Sequence, residues 1–153
     1  MDIDRLIKKD EVHRDVYVSE EVFGLEMDRI FGSAWIYVGH DSQIPNPGDY
    51  WTTRIGLQSV VMTRGKRDEI NIFYNRCPHK GARIAEEGCG HTNGLFRCPY
   101  HAWTFNLDGK LRGVPYFDGY QDTSFDLTDP RFSLRKVARV AAHRGFVFAS
   151  LAE

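Results

Sequence analysis

Cys77-Pro78-His79-Lys80-Gly81 and Cys98-Pro99-Tyr100-His101-Ala102-Trp103 are the two stretches on which the reading of this chain turns. The first spells C-x-H and the second C-x-x-H, with 18 residues between them. Each brings one soft sulfur and one borderline nitrogen, the donor set of a transition-metal site. Each follows a segment expected to be a strand. Pro78 and Pro99 stiffen their loops and each removes one backbone N–H. Gly81 permits a turn that aims backbone N–H groups at a bound anion or sulfide.

Two metal chemistries use two Cys and two His. A structural zinc ion takes all four in one tetrahedron, usually from C-x₂₋₄-C and H-x₃₋₅-H pairs. Here each loop mixes one Cys with one His instead. A Rieske [2Fe–2S] centre needs that mixture, because two Cys hold one iron and two His hold the other. Cys77, His79, Cys98 and His101 are therefore the candidate cofactor-binding and metal-ligating residues. Cys89-Gly90-His91 also spells C-x-H. Only six residues separate His91 from Cys98. That is too few for a strand between two independent loops, so Cys89 is expected to be a spare thiol. His13, His40 and His143 are expected to be ordinary surface or hydrogen-bonded histidines.

Around the two boxes the pattern is mostly β. Trp35 to Val38, Tyr50 to Ile55, Ser59 to Thr63 and Ile70 to Tyr74 read as strands. Ile44 to Asp49 reads as a turn and Gly65 to Asp68 as a hairpin turn. Asp108-Gly109 marks a tight hairpin inside Phe105 to Leu111. Residues 112–132 look like loop, and Leu134 to Ala141 and Gly145 to Leu151 like two closing strands. One helix precedes all of this. Ser19 caps residues 19–34, and Phe23, Met27, Ile30, Phe31 and Ala34 form a stripe expected to cover the core. Residues 1–18 read as an extended polar arm. The division expected is 1–34 for arm and helix and 35–153 for a mainly antiparallel β domain, with metal-binding loops at about 75–105.

Composition bounds the function. A length of 153 residues fits one ordinary domain and excludes a multidomain enzyme. Twenty Lys and Arg against 21 Asp and Glu leave a net charge of −1, so no global basic field argues for nucleic acid. No apolar run approaches the roughly 18–20 residues of a membrane span. The N-terminus lacks a secretory signal, and three cysteines make a poor disulfide framework. A reducing, cytoplasmic setting is the expectation.

The wording of both boxes resembles the Rieske family, in its aromatic-ring-hydroxylating dioxygenase branch. Phe73-Tyr74-Asn75-Arg76-Cys77-Pro78-His79-Lys80-Gly81 is similar to the first box of the α (large) subunits. Cys98 to Phe105 is similar to the second, with the Asp108-Gly109 turn following. Phe31 to Trp35, Pro47 to Tyr50, Gly113-Val114-Pro115 and Gly145 to Ala149 extend the likeness over nearly the whole chain, from about Val12. It implies a Rieske-type fold, an antiparallel β-sandwich with a two-loop cluster-binding subdomain. The cofactor implied is a Rieske [2Fe–2S] cluster. The activity implied is electron acceptance from a reductase or ferredoxin. The electron passes on to a mononuclear Fe(II), generally in the catalytic domain of a neighbouring subunit of a trimer.

That iron's motif, approximately D-x-x-H-x₄-H, matches no pair among the six histidines here. The oxygenase active site is thus expected outside this chain, and the chain is expected to be the N-terminal part of an α subunit. The alternative is a stand-alone Rieske ferredoxin. The helix and arm argue against it, since such ferredoxins usually begin near the first strand.

Three departures stand out. Ala102 replaces a usual Gly. The spacing between boxes is slightly long, with Glu86-Glu87-Gly88 as the place for the extra length. Ala82 and Tyr100 occupy the positions of the disulfide found in respiratory Rieske proteins, so that disulfide is absent. Tyr100 and Trp103 have packing or tuning of the cluster open to them. Lys80, Arg83 and Arg97 are expected either to be solvated or to steer an electron-transfer partner.

Overall fold

The computed structural model describes residues 3–86 and 88–153; Glu87, in the stretch expected to hold the extra length, lies outside the described residues. Among the described residues, ten strands build three antiparallel sheets. β1 (Ile36–His40), β9 (Arg139–His143) and β10 (Phe146–Ser150) form one sheet in the order β1-β10-β9. β2 (Asp49–Ile55), β3 (Gln58–Arg64), β4 (Ile70–Tyr74) and β5 (Cys89–His91) form a second in the order β4-β3-β2-β5. β6 (Leu95–Arg97), β7 (Thr104–Asn106) and β8 (Leu111–Gly113) form a small third sheet.

The second sheet is central because both of its faces are covered. Strand side chains alternate between faces. Val60 and Met62 of β3, with Ile72 of β4, enter a core shared with Val38, Val147 and Ala149 of the first sheet. Val61 and Phe73 point the other way, into a core shared with Phe96, Phe105 and Leu111 of the third sheet. This two-sided burial leaves β3 buried without a break from Val60 to Arg64 rather than alternating. The Asp108-Gly109 hairpin seats directly on β4. Gly109 has φ +85°, and a Cβ there would stand 2.5 Å from the Phe73 ring.

The N-terminal region departs from expectation twice. Residues 3–18 are not an extended arm. Lys8 N–H donates to the Glu11 carbonyl at 2.8 Å and His13 N–H to Leu6 at 2.7 Å, closing a small turn around an Ile7–Val12 bridge. A short helix α1 (Asp15–Val18) follows. The main helix α2 starts as expected at Glu20, where the Ser19 hydroxyl accepts the Val22 N–H. Its α-helical part ends at Glu26, and Met27–Phe31 continues as a π-helical turn. Residues 32–34 are outside the helix, because Ser33 and Ala34 both return their N–H groups to the Ile30 carbonyl.

The expected core stripe is only half used. Phe31 and Met27 close on the β2–β3 turn, where a Cβ on Gly56 would come within 2.9 Å of Phe31. Phe23 and Ile30 are exposed, and Val22 is the buried residue of α2. The first closing strand also starts later than expected, at Arg139. Residues 134–137 run as loop, held by a bridge from Lys136 to Phe73 and by Leu134 N–H donating to Gly109. Within residues 112–132, β8 extends to Gly113, and single 3₁₀ turns form at Phe117–Tyr120 and Pro130–Phe132.

Candidate metal centre

The two boxes fold into the same loop. In the first, Cys77 N–H donates to the Ala82 carbonyl at 2.8 Å and Gly81 N–H to the Cys77 carbonyl at 2.9 Å. In the second, Cys98 N–H donates to Trp103 at 2.8 Å and Ala102 N–H to Cys98 at 3.0 Å. Both loops therefore reverse at the fourth residue after the cysteine. That residue is left-handed in each case, Gly81 at φ +76° and Ala102 at φ +55°. Gly is the residue that takes this conformation without steric cost.

The loops are set side by side by the core beneath them. Cys77 and Cys98 are both buried in the core that holds Phe73, Phe96 and Phe105. The two thiols lie close enough together that Cys98 adds to the rise burial causes in the Cys77 thiol. The imidazoles lie further out. His79 is half-buried and His101 exposed, with ring centroids 4.8 Å apart at 68°. The four candidate residues thus meet as a sulfur pair inside and a nitrogen pair outside. A single tetrahedral zinc ion asks all four to converge; two irons ask for two pairs. Among the described residues no three Cys, His, Asp or Glu side chains converge on one point.

Burial and mutual proximity shift the ionisable groups of the two loops. Burial pushes the Cys77 thiol up to about 11, and Cys98 beside it adds to the rise. Backbone N–H groups of His79 and Lys80 pull the other way by hydrogen bonding to the Cys77 sulfur. They are the donors the Gly81 turn was expected to aim inward. Burial, then His101 and Lys80, hold His79 below the ordinary histidine range, which favours the neutral imidazole that can ligate.

Trp103 and Tyr100, expected to pack around or tune the cluster, stand against the two imidazoles, while the role of Asn75 escaped the sequence reading. Trp103 is buried, and its ring lies flat on His79 at 4.8 Å and 3°. Tyr100 stacks on His101 at 3.9 Å but remains exposed. Asn75, buried just before the first box, accepts the Ile84 and Ala85 N–H groups and donates to the Ala85 carbonyl, all within 2.9 Å. It ties down the segment that leaves the first loop.

The third C-x-H stretch stands elsewhere, though not for the reason given by its spacing. The six residues after His91 do hold a strand, β6. What removes Cys89 and His91 is β5, which pairs with β2 and leaves Cys89 exposed. His91 is engaged by Asp49 at 2.7 Å. His40 caps a turn by accepting Ser42 N–H, His13 contacts Asp15, and His143 is exposed. Of the three cations singled out, Lys80 and Arg83 line one groove, while Arg97 lines a different hollow.

The family profile described as the Rieske [2Fe-2S] domain matches residues 34–128. The chain belongs to the Rieske [2Fe–2S] domain family. A Rieske [2Fe–2S] cluster is accordingly its cofactor, and the paired donor set fits that group. Toluate 1,2-dioxygenase subunit alpha from Pseudomonas putida is 43% identical over 99% of this chain and 34% of its own length. Anthranilate 1,2-dioxygenase large subunit from Acinetobacter baylyi is 37% identical over 92% of the chain and 29% of its own. Naphthalene 1,2-dioxygenase from Rhodococcus superposes with a TM-score of 0.82 at 35% identity, over 92% of this chain and 31% of that one. The Rieske chain thus spans about a third of the length of these relatives.

Proposed function

We propose that this chain is the electron-accepting Rieske portion of an aromatic-ring-hydroxylating oxygenase α subunit. It takes electrons from a reductase or ferredoxin and passes them to a mononuclear Fe(II) in a catalytic portion outside these 153 residues, in a neighbouring subunit of a trimer. Cys77 and Cys98 would hold the inner iron, and His79 and His101 the outer one. When bound, the cluster supplies reversible one-electron storage at a potential raised by its nitrogen ligands.

The chain's own residues do the rest. The aromatic core excludes water from the thiolates, and the His79 and Lys80 N–H groups offset negative charge on the Cys77 sulfur. Trp103 fixes the plane of His79. The imidazoles sit nearest the surface, where a partner can approach.

The observation that carries this reading is the pairwise meeting of thiols and imidazoles on two equivalent loops. The relatives, named as alpha or large subunits, favour it over a free-standing Rieske ferredoxin. Residues 35–153 would form the domain proper, with β9 and β10 completing the sheet begun by β1, and 1–34 would be an appendage. The three cysteines are unbridged, which suits the reducing cytoplasm. Among the described residues no helix is long and apolar enough to cross a membrane.

The test is spectroscopic. Purified protein is expected to be red-brown, with a Rieske-type EPR signal on reduction. Cys77→Ser should abolish that signal and Cys89→Ser should leave it intact. A colourless protein carrying one zinc ion per chain would overturn the reading.

A further inference from the structure

Beside the first loop lies an open groove of about 880 Å³. Arg76, Lys80, Arg83, Arg131 and Arg135 line it, and among the described residues no carboxylate does. The chain as a whole carries a net charge of −1, so this is a local concentration of positive charge. The groove is built rather than incidental. Arg135 is stacked on Tyr74 at 5.2 Å, and Arg131 is held by Asp129, which stands outside the lining. His79 and Cys77 form part of its wall. The hollow around His101 has a different chemistry, with one cation, Arg97, among Tyr100, Tyr116 and Tyr120.

We propose that this groove is the docking site of the electron donor, and that the donor is a protein presenting an acidic surface. The inference rests on the reading of the chain as a Rieske electron acceptor and goes further by assigning the entry face and the partner's charge. A donor must arrive, deliver and leave quickly. Charge complementarity serves that purpose, because it raises the encounter rate without requiring a large apolar interface. With Arg131 paired to Asp129, the groove cations Arg76, Lys80 and Arg135 would bring an acidic donor's redox group close to His79. In the transfer, one electron leaves the donor's reduced iron pair and one enters the pair held here. No covalent bond forms or breaks.

The probe is an acidic plant-type [2Fe–2S] ferredoxin, with photoreduced deazaflavin as a small control reductant. Stopped-flow gives the second-order rate of cluster reduction. Calorimetry with oxidised ferredoxin gives binding independently of turnover. Lys80→Glu and Arg135→Glu are each expected to lower the ferredoxin rate and affinity by about tenfold at low ionic strength, the loss fading near 0.5 M salt. Reduction of Arg135→Glu by deazaflavin should be unchanged. Arg97→Glu should stay within about twofold of wild type, because it lies outside the groove.

An equal loss in Arg97→Glu, or no loss in Arg135→Glu, overturns the docking site while leaving the Rieske reading intact. A wild-type protein without a Rieske EPR signal overturns the parent reading, and this one with it. Arg135 is remote in sequence from the cluster loops, so its variant keeps the test sound if Lys80→Glu loads its cluster poorly.

Discussion

Ala102 is a residue whose cost can be read from its backbone. It sits at φ +55° at the reversal of the second loop, where the equivalent residue of the first loop is Gly81. A Cβ in the left-handed region costs roughly 1–2 kcal/mol. Ala102→Gly should recover about 1 kcal/mol of that after its extra unfolded-state entropy, a rise in melting temperature of about 2–4 °C for a chain of this size. Thermal unfolding with intact cluster absorption measures it, and a drop in melting temperature would show that the methyl packs better than the backbone strains.

Asn75 works in the opposite sense. Its side chain satisfies two N–H groups and one carbonyl in a buried setting. Asn75→Ala orphans all three, at about 2–4 kcal/mol. Denaturant titration should show that loss, with cluster content falling alongside because Ile84 and Ala85 anchor the exit of the first loop.

Among the elements, β2 and β5 are joined at one end by Asp49 and His91. The Asp49 carboxylate accepts from the His91 ring at 2.7 Å and from Asn46 N–H at 2.8 Å. His91, then the Asn46 bonds, hold it below the usual carboxylate range. A carboxylate depressed by folding stabilises above its unfolded value, about 4, and loses that contribution as pH falls through the folded value. Asp49→Asn should therefore melt below wild type at neutral pH, with the gap narrowing as the pH falls below about 4. Thermal melts across pH 2 to 7 check it; a gap constant with pH would assign the loss to packing instead.

The same elements show what sequence can and cannot disclose. β2, β3 and β4 were legible to within a residue, since five to seven residues of apolar pattern between turn signals leave little choice. β5 and β6 have three residues each, too few for any period to register. The helical stripe was real in its spacing, but pattern alone does not say which face finds a partner. Met27 and Phe31 do; Phe23 and Ile30 do not. The four candidate ligands were legible as chemistry. The flat stacking of Trp103 on His79, and the five cations gathered from segments 76–83 and 131–135, depend on tertiary placement that no local pattern records.

At the scale of the molecule, the central sheet divides the interior into two cores with different dependence on the cofactor. The core between the first two sheets holds Val38, Ile55, Val60, Met62, Ile72 and Val147, none within either loop. The other contains Cys77 and Cys98 themselves, with Ile84, Ala85, Trp103 and Phe105 around them. Cluster binding is thus coupled to the packing of one side and not of the other. A Cys77→Ser, Cys98→Ser double variant, which on the proposed ligand set cannot assemble the cluster, should keep the sandwich. Amides of β1, β3, β4 and β10 should remain protected from hydrogen exchange. Those of residues 77–86 and 98–105 should exchange at least about tenfold faster than in the loaded wild type, reporting local opening rather than global unfolding. A uniform loss of protection through β3 and β10 would mean that the cluster supports the whole fold, and that the two cores unfold as one.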